Sequence, residues 1–513
     1  MPELAAGEYN VPNRPETPRN TFLLAGLVAL IFCAPFIVST YIPLVDLPHH
    51  IARHQILADI ANGGPLAKYF VSDGPKMGNS TVDMIAASGW VSDVLWLSRV
   101  SLIFYTVSFV ASIMVFHRVL WKRWSITPLV ASPIIYNDSF YWGFQNFILA
   151  IPLVIFLLAL WIACQKRPVL VTTLLFFPLV FGLYALHSFA FFAFCAAVFG
   201  FELPRLFRSP YSFKRLGRPL ILSAPFWFPL FHFLSSQVLV DTGRPAANAF
   251  GGIGSRLEAA NSVTHTKIRM PEMAILDLGN ISSILSLILV YCFLLLILLS
   301  FANRISVVTH QDAKGPILAL FIAALAMPAV VSGVVLTHIR IPAIACAIAL
   351  SAMKFPHLGV RGYRIIAAIL ISVSVVRATD LTLSGTTLGR EMAELRSLLV
   401  ELPPEARLSV KWSPKYWPEY QWHLSSYPTV WISETTPTLF PSAHGVSAKP
   451  QADDNGNCQI SDANLSFFGN GILEFTHVLI ADPQLYAIAA KRSDLRKSAS
   501  ENYMVVDLCE VSK

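Results

Sequence analysis

The segment "PLVDLPHHIARHQIL", Pro43 to Leu57, places one carboxylate, three histidines and one arginine directly after the first long apolar run. Pro48 suits the first turn of a helix, where its missing N–H costs nothing. On that helix His50, Arg53, His54 and Leu57 fall at spacings of three and four and share a face. A carboxylate, Asp46, stands at the head of this cluster, and such a set suits acid/base work and the handling of phosphate. Two readings of Asp46 stand side by side. It is a general base, its pKa raised by partial burial or lowered by Arg53, or it caps the helix begun by Pro48. His50 and His54, one turn apart, have a spacing that could chelate zinc. The reading adopted is a polar face toward substrate and water, with no metal.

Other candidates lie far along the chain. Arg340 and His338 sit where a late apolar run ends. An arginine there either snorkels to headgroups or faces a polar cavity, and in the second case its planar fork would hold a phosphate. Arg53 could share that role. The segment "YNDSFYWGFQNF", Tyr136 to Phe147, has the aromatic content of an interfacial belt. Within it Asn137, Asp138 and Asn146 could bond sugar hydroxyls and Trp142 could stack on a sugar ring. His187, alone between apolar runs, reads first as an interface histidine and second as a substrate contact.

These residues need a scaffold, and composition names its class. Of 513 residues 55% are hydrophobic and 13% charged, with a mean hydropathy of +0.57, against roughly 25% charged in soluble domains. The chain reads as a polytopic α-helical membrane protein. Its net charge of +7 resides in short loops, where membrane orientation accounts for it, so nucleic acid is not an expected partner. About eleven apolar runs are candidate spans, centred near residues 31, 108, 130, 155, 176, 195, 226, 290, 325, 347 and 370. Prolines 128, 133 and 342 interrupt several of them.

Basic loops at Arg118 to Arg123, Lys166 to Arg167 and Arg205 to Arg218 belong on the cytoplasmic side. The expected organisation is a cytoplasmic tail (1–20), a membrane domain (21–380) with outer loops at 44–99 and 235–278, and an extracytoplasmic α/β domain (381–513). Strand-like runs "ARLSVKW", "FTHVLIAD" and "NYMVVDLCEV" fall in the last of these, between turn residues. Cys458 and Cys509 also lie there, and an oxidising compartment would allow them to pair.

Four segments together resemble the GT-C class of membrane glycosyltransferases. They are "DLPHHIARHQILADI" after the first span, "FYWGFQNFILAIPL", "THIRIP" and the late "WHLSSYPTVWISETTPTLFP". The resemblance implies a site at the outer face of the inner (plasma) membrane. It implies a polyprenyl-phosphate-linked sugar as donor, a glycan, lipid or protein as acceptor, and an outer-loop carboxylate, here Asp46, as base. Metal-dependent members carry further acidic motifs that this chain lacks, so a metal-independent, cofactor-free, inverting transfer is expected.

The chemistry asks for the same groups. A sugar leaving a lipid phosphate releases an anion, which needs cations, while the acceptor hydroxyl needs a base. No Walker A, dinucleotide, HExxH or Gly-x-Ser-x-Gly motif occurs, which argues against nucleotide-driven and hydrolase chemistry. A flippase or exporter of lipid-linked sugars is the alternative. A carrier needs polar groups near the membrane midplane, and the centres of these apolar runs are almost free of charge.

Overall fold

A computed structural model describes residues 18–68, 70–72, 78–207, 213–238, 307–328, 330–331, 334–355 and 360–400, with short pieces between 285 and 299 and after 402. In chain order its helices begin with α1 (Pro18–Val38), α2 (Leu47–Ala61), α3 (Thr81–Ala86), α4 (Val94–Trp121) and α5 (Asp138–Tyr141). They continue with α6 (Gln145–Ala163), α7 (Val169–Leu186), α8 (Ser188–Phe207) and α9 (Phe213–Val238). The last of the bundle are α10 (Gln311–Ala326), α11 (Arg340–Ser351) and α12 (Val360–Val400).

Among the described residues six helices, α1, α4, α6, α7, α8 and α12, are long and apolar enough to cross a membrane. Leu23, Leu30, Phe104, Leu174, Phe199 and Ile369 on these helices are exposed, a surface suited to lipid and not to water. This is the build of a multi-pass membrane protein, in which helices satisfy their own backbone.

The described helices correct part of the expected span count. The run near residue 130 is a ten-residue 3-10 helix, Thr127–Tyr136, with Pro133 inside it. At about 2.0 Å per residue it is too short to cross a bilayer. The run near residue 347 is α11, with twelve residues, all of them buried. Hydropathy alone cannot separate a fully buried short helix from a span. The run near residue 290 falls largely on residues outside those described.

Both short helices survive in the core because neighbours satisfy their ends. Tyr105 donates to Ile135 O at 2.9 Å, and the buried Arg377 of α12 donates to the carbonyls of Pro133 and Tyr136. At the far end of α11, Nδ1 of His117 donates to Ser351 O (2.8 Å) and the Trp121 indole to Ala352 O (3.0 Å). Carbonyls left bare at a buried helix end would be costly.

Helix α12 runs unbroken for 41 residues, about 60 Å at 1.5 Å per residue. The expected boundary at 380/381 therefore falls inside one helix that extends beyond a membrane's thickness. After it, strands at Leu408–Lys411, His477–Ile480, Arg496–Ala499 and Met504–Asp507 form a four-stranded sheet, parallel between the first two and antiparallel elsewhere. A short helix, Pro483–Ala490, follows the second strand. Strand Phe70–Ser72 from the first loop pairs with Val446–Ala448, Val71 opposite Ser447. Strand Val446–Ala448 thus lies beside the first loop. Cys458, and with it the expected disulfide, lies outside the described residues.

Candidate functional site

The site begins where the chain turns from α1 into α2. Val45 and Asp46 donate their backbone N–H groups to the carbonyls of Tyr141 (2.9 Å) and Trp142 (3.0 Å) at the end of α5. Gly143 makes this approach possible. Its φ is +74°, and a Cβ there would stand 2.7 Å from Leu47 N, so only glycine fits without strain. Asp46 occupies the N-cap position of α2, with Pro48 in the first turn, yet its side chain makes no capping hydrogen bond. The capping reading is corrected. The carboxylate is turned to His50 instead, whose Nε2 lies 3.1 Å from Oδ2.

From there a polar chain runs along the face that spacing predicted. Nη2 of Arg53 donates to Nδ1 of His50 (2.9 Å) and also reaches Oδ1 of Asp83 (2.8 Å), as does its Nε (3.0 Å). Nε2 of His54 meets the same oxygen at 3.0 Å. His50, Arg53 and His54 are all buried. Burial alone would push the Asp83 carboxyl up, but the His54 hydrogen bond and the Arg53 charge hold it at about 2. Burial pushes His54 down to about 4, outweighing the pull of Asp83 in the other direction. The pair is thus carboxylate and neutral imidazole.

Asp83 is the residue that sequence reading missed. Nothing in its local sequence gives it a role. What carries it to Arg53 is Asn146, whose Oδ1 accepts from Val82 N (3.1 Å) and whose Nδ2 donates to Asn79 O (3.0 Å). Both amide groups of Asn146 are therefore committed to the backbone around α3. Asn137 is likewise fully buried, its Oδ1 accepting from Phe140 N (3.2 Å) and its Nδ2 donating to Ile134 O (2.9 Å). Asp138 opens α5. Trp142 follows it, half-buried, with its ring stacked against Phe144.

The second half of the site comes from α11. Arg340 is buried, and its guanidinium carbon lies 4.1 Å from the ring centre of Phe144, 5.3 Å from Phe189 and 5.5 Å from Phe147. Its Nη1 stands 2.9 Å from Nε2 of His187, and its Nε has no hydrogen-bond partner. Among the described residues no carboxylate comes within ion-pair distance of it, and the charge that acts on it is that of Asp46. His187 also accepts the Phe189 N–H at Nδ1 (3.2 Å). A neutral imidazole has one accepting nitrogen, so Arg340 and Phe189 compete for it. His338 is buried two residues before Arg340. Among the described residues no three His, Cys, Asp or Glu side chains are grouped to hold a metal.

No protein-family model matches the chain, and no curated protein matches it. Among solved structures, the crystal structure of ArnT from Cupriavidus metallidurans bound to undecaprenyl phosphate is similar over 96% of this chain and 98% of that one, at 11% identity and a TM-score of 0.44. A likeness that weak supports no assignment of fold or activity.

Proposed function

We propose that this protein transfers a sugar from a polyprenyl-phosphate-linked donor to a cell-envelope glycan, lipid or protein, with inversion, at the outer face of the inner (plasma) membrane. Asp46 is the general base and Arg340 the main contact to the donor phosphate. The observation that supports this reading is that one short segment, Tyr141 to Phe144, touches both the Asp46 backbone and Arg340, which lie far apart in sequence. The elbow whose carbonyls hold Val45 and Asp46 continues into Phe144, on which Arg340 stacks. A desolvated arginine that no described carboxylate pairs is a ready seat for a phosphate, and a carboxylate held by the same elbow can take the proton of an incoming hydroxyl. The GT-C resemblance of the first-loop motif points the same way.

The test uses the purified full chain in lipid nanodiscs with radiolabelled polyprenyl-phosphate hexoses and pentoses and an envelope extract as acceptor. Label should move from one donor of the panel to a new product. Asp46→Asn keeps the shape of the side chain and should cost roughly 10²- to 10⁴-fold in turnover. Near-normal transfer by folded Asp46→Asn protein would remove the base assignment.

A further inference from the structure

Asp83 lies three hydrogen-bonded steps from Asp46, by way of His50 and Arg53, in a chain whose proton positions are dictated by one residue that cannot accept. Arginine only donates. Because Nη2 of Arg53 points at Nδ1 of His50, that nitrogen must carry a lone pair, and the imidazole proton must sit on Nε2. Nε2 is the atom 3.1 Å from Oδ2 of Asp46, so His50 donates to the carboxylate as a neutral ring. Arg53 in turn is held by two contacts to Oδ1 of Asp83, at 3.0 and 2.8 Å.

We propose that Asp83 is a positioning residue for Asp46: through Arg53 it fixes His50 as the neutral Nε2–H tautomer, and His50 holds the carboxylate ready as a base. The proposal rests on Asp46 being the base. Its physical content is the choice between two donors. A neutral imidazole orients the carboxylate and leaves it basic, whereas an imidazolium would pair with it and lower its proton affinity. Arg53 excludes the imidazolium, because a proton on Nδ1 would face its own N–H. Without Asp83 the guanidinium is free to turn away, and His50 can protonate or change tautomer.

The groups that meet in this chain come from three elements. Asp46 belongs to the turn before α2, and His50, Arg53 and His54 belong to α2. Asp83 belongs to α3, which Asn146 of α6 fastens in place. Nothing in the motif "DLPHHIARHQIL" announces Asp83, which is 30 residues from Arg53.

The experiment compares Asp83→Asn in two backgrounds, using the same full chain, nanodiscs and donor panel. In the wild-type background Asp83→Asn should lower kcat roughly tenfold to hundredfold, as misplacement of a catalytic group does, with donor KM little changed. His50→Leu should lose a similar amount. His50→Gln should retain more, because an amide offers a donor and an acceptor with no tautomer to choose. In the His50→Gln background Asp83→Asn should therefore cost much less, the non-additivity expected of groups acting through one network. Equal losses in both backgrounds would reduce Asp83 to a purely structural residue and overturn the proposal. His50→Gln keeps the Asp83, Arg53 and His54 contacts, so it reads the relay even where Asp83→Asn folds poorly.

A second readout needs no turnover. In protein labelled with ¹⁵N-histidine, the resonances absent from His50→Gln belong to His50, and they should report a neutral ring protonated at Nε2. Asp83→Asn should shift them toward a tautomer mixture or a cation, and unchanged resonances would refute the relay. An active Asp46→Asn enzyme, by contrast, would remove the base reading on which the relay rests.

Discussion

Nη1 of Arg340 rests 2.9 Å from Nε2 of His187, a neutral ring that also receives the Phe189 N–H. The cation is thus held by a contested acceptor and three aromatic faces, and an arriving phosphate can take Nη1 at small cost to the protein. Arg340→Lys keeps the charge but loses the planar fork and the stacking. Donor KM should rise roughly tenfold to hundredfold, the value of one or two charge-assisted hydrogen bonds, with acceptor KM little affected. Initial-rate kinetics with each substrate varied in turn checks this. Equal effects on both substrates would argue that Arg340 shapes the site without gripping the donor.

Acid should weaken the fold in a defined window. An unfolded chain protonates histidine as pH falls through 6.5, whereas buried His54 resists until about 4. Between those values the unfolded state binds more protons, so stability falls with falling pH at up to about 1.4 kcal/mol per unit. Asp83 acts lower down. Its contribution is complete above 3.8 and is lost as pH falls toward its folded value of about 2. Thermal unfolding of detergent-solubilised protein should show Tm steady from pH 8 to 7 and falling below 6.5. His54→Gln should flatten the part between 6.5 and 4, and a curve parallel to wild type would remove His54 as the cause.

What the sequence disclosed and what it withheld follow from range. Asp46, His50, Arg53 and His54 lie within nine residues, and helical spacing brought them to one face. Arg340 and His187 stood out as lone polar residues between apolar runs, but their contact spans 153 positions and has no local signal. Asp83 and Asn146 were equally opaque, because the amide of one fastens the loop that delivers the other. The same limit governs the fold. Residues 127–136 and 340–351 are apolar enough to resemble spans, and only their packing shows them to be short buried helices. Residue 380, the last of the expected membrane domain, lies inside α12, which runs on to Val400 without a break.

The elbow at Gly143 offers a test of how the base is placed. Alanine there would have to adopt φ near +74° with its Cβ against Leu47 N, a strain of order 1–3 kcal/mol. The strand of contacts it would disturb is the pair of backbone hydrogen bonds holding Val45 and Asp46. Gly143→Ala should therefore lower both Tm and kcat. Gly182→Ala is the matched control, since Gly182 lies in α7 with open space around it and alanine favours a helix. Loss of kcat in both variants would point to a general effect of substitution.

The last prediction concerns sidedness, and it rests on where the bundle sends its connections. Helix α4 starts near the first loop and ends at Trp121, whose ring lies 5.2 Å from the Lys354 ammonium group, so Lys354 marks the end of the bundle away from the site. The first loop and the region after 400 are joined by the pairing of 70–72 with 446–448. Reporter fusions at Lys76 and Lys513 should therefore give one sidedness and a fusion at Lys354 the other. The basic loops at Arg118 to Arg123 and Arg205 to Arg218 predict that Lys354 is cytoplasmic. Opposite signals from Lys76 and Lys513 would break the link between the first loop and the tail. Matching signals with Lys354 on the outer face would invert the chain and place Asp46 and Arg340 in the cytoplasm, where a lipid-linked donor presented at the outer leaflet could not reach them.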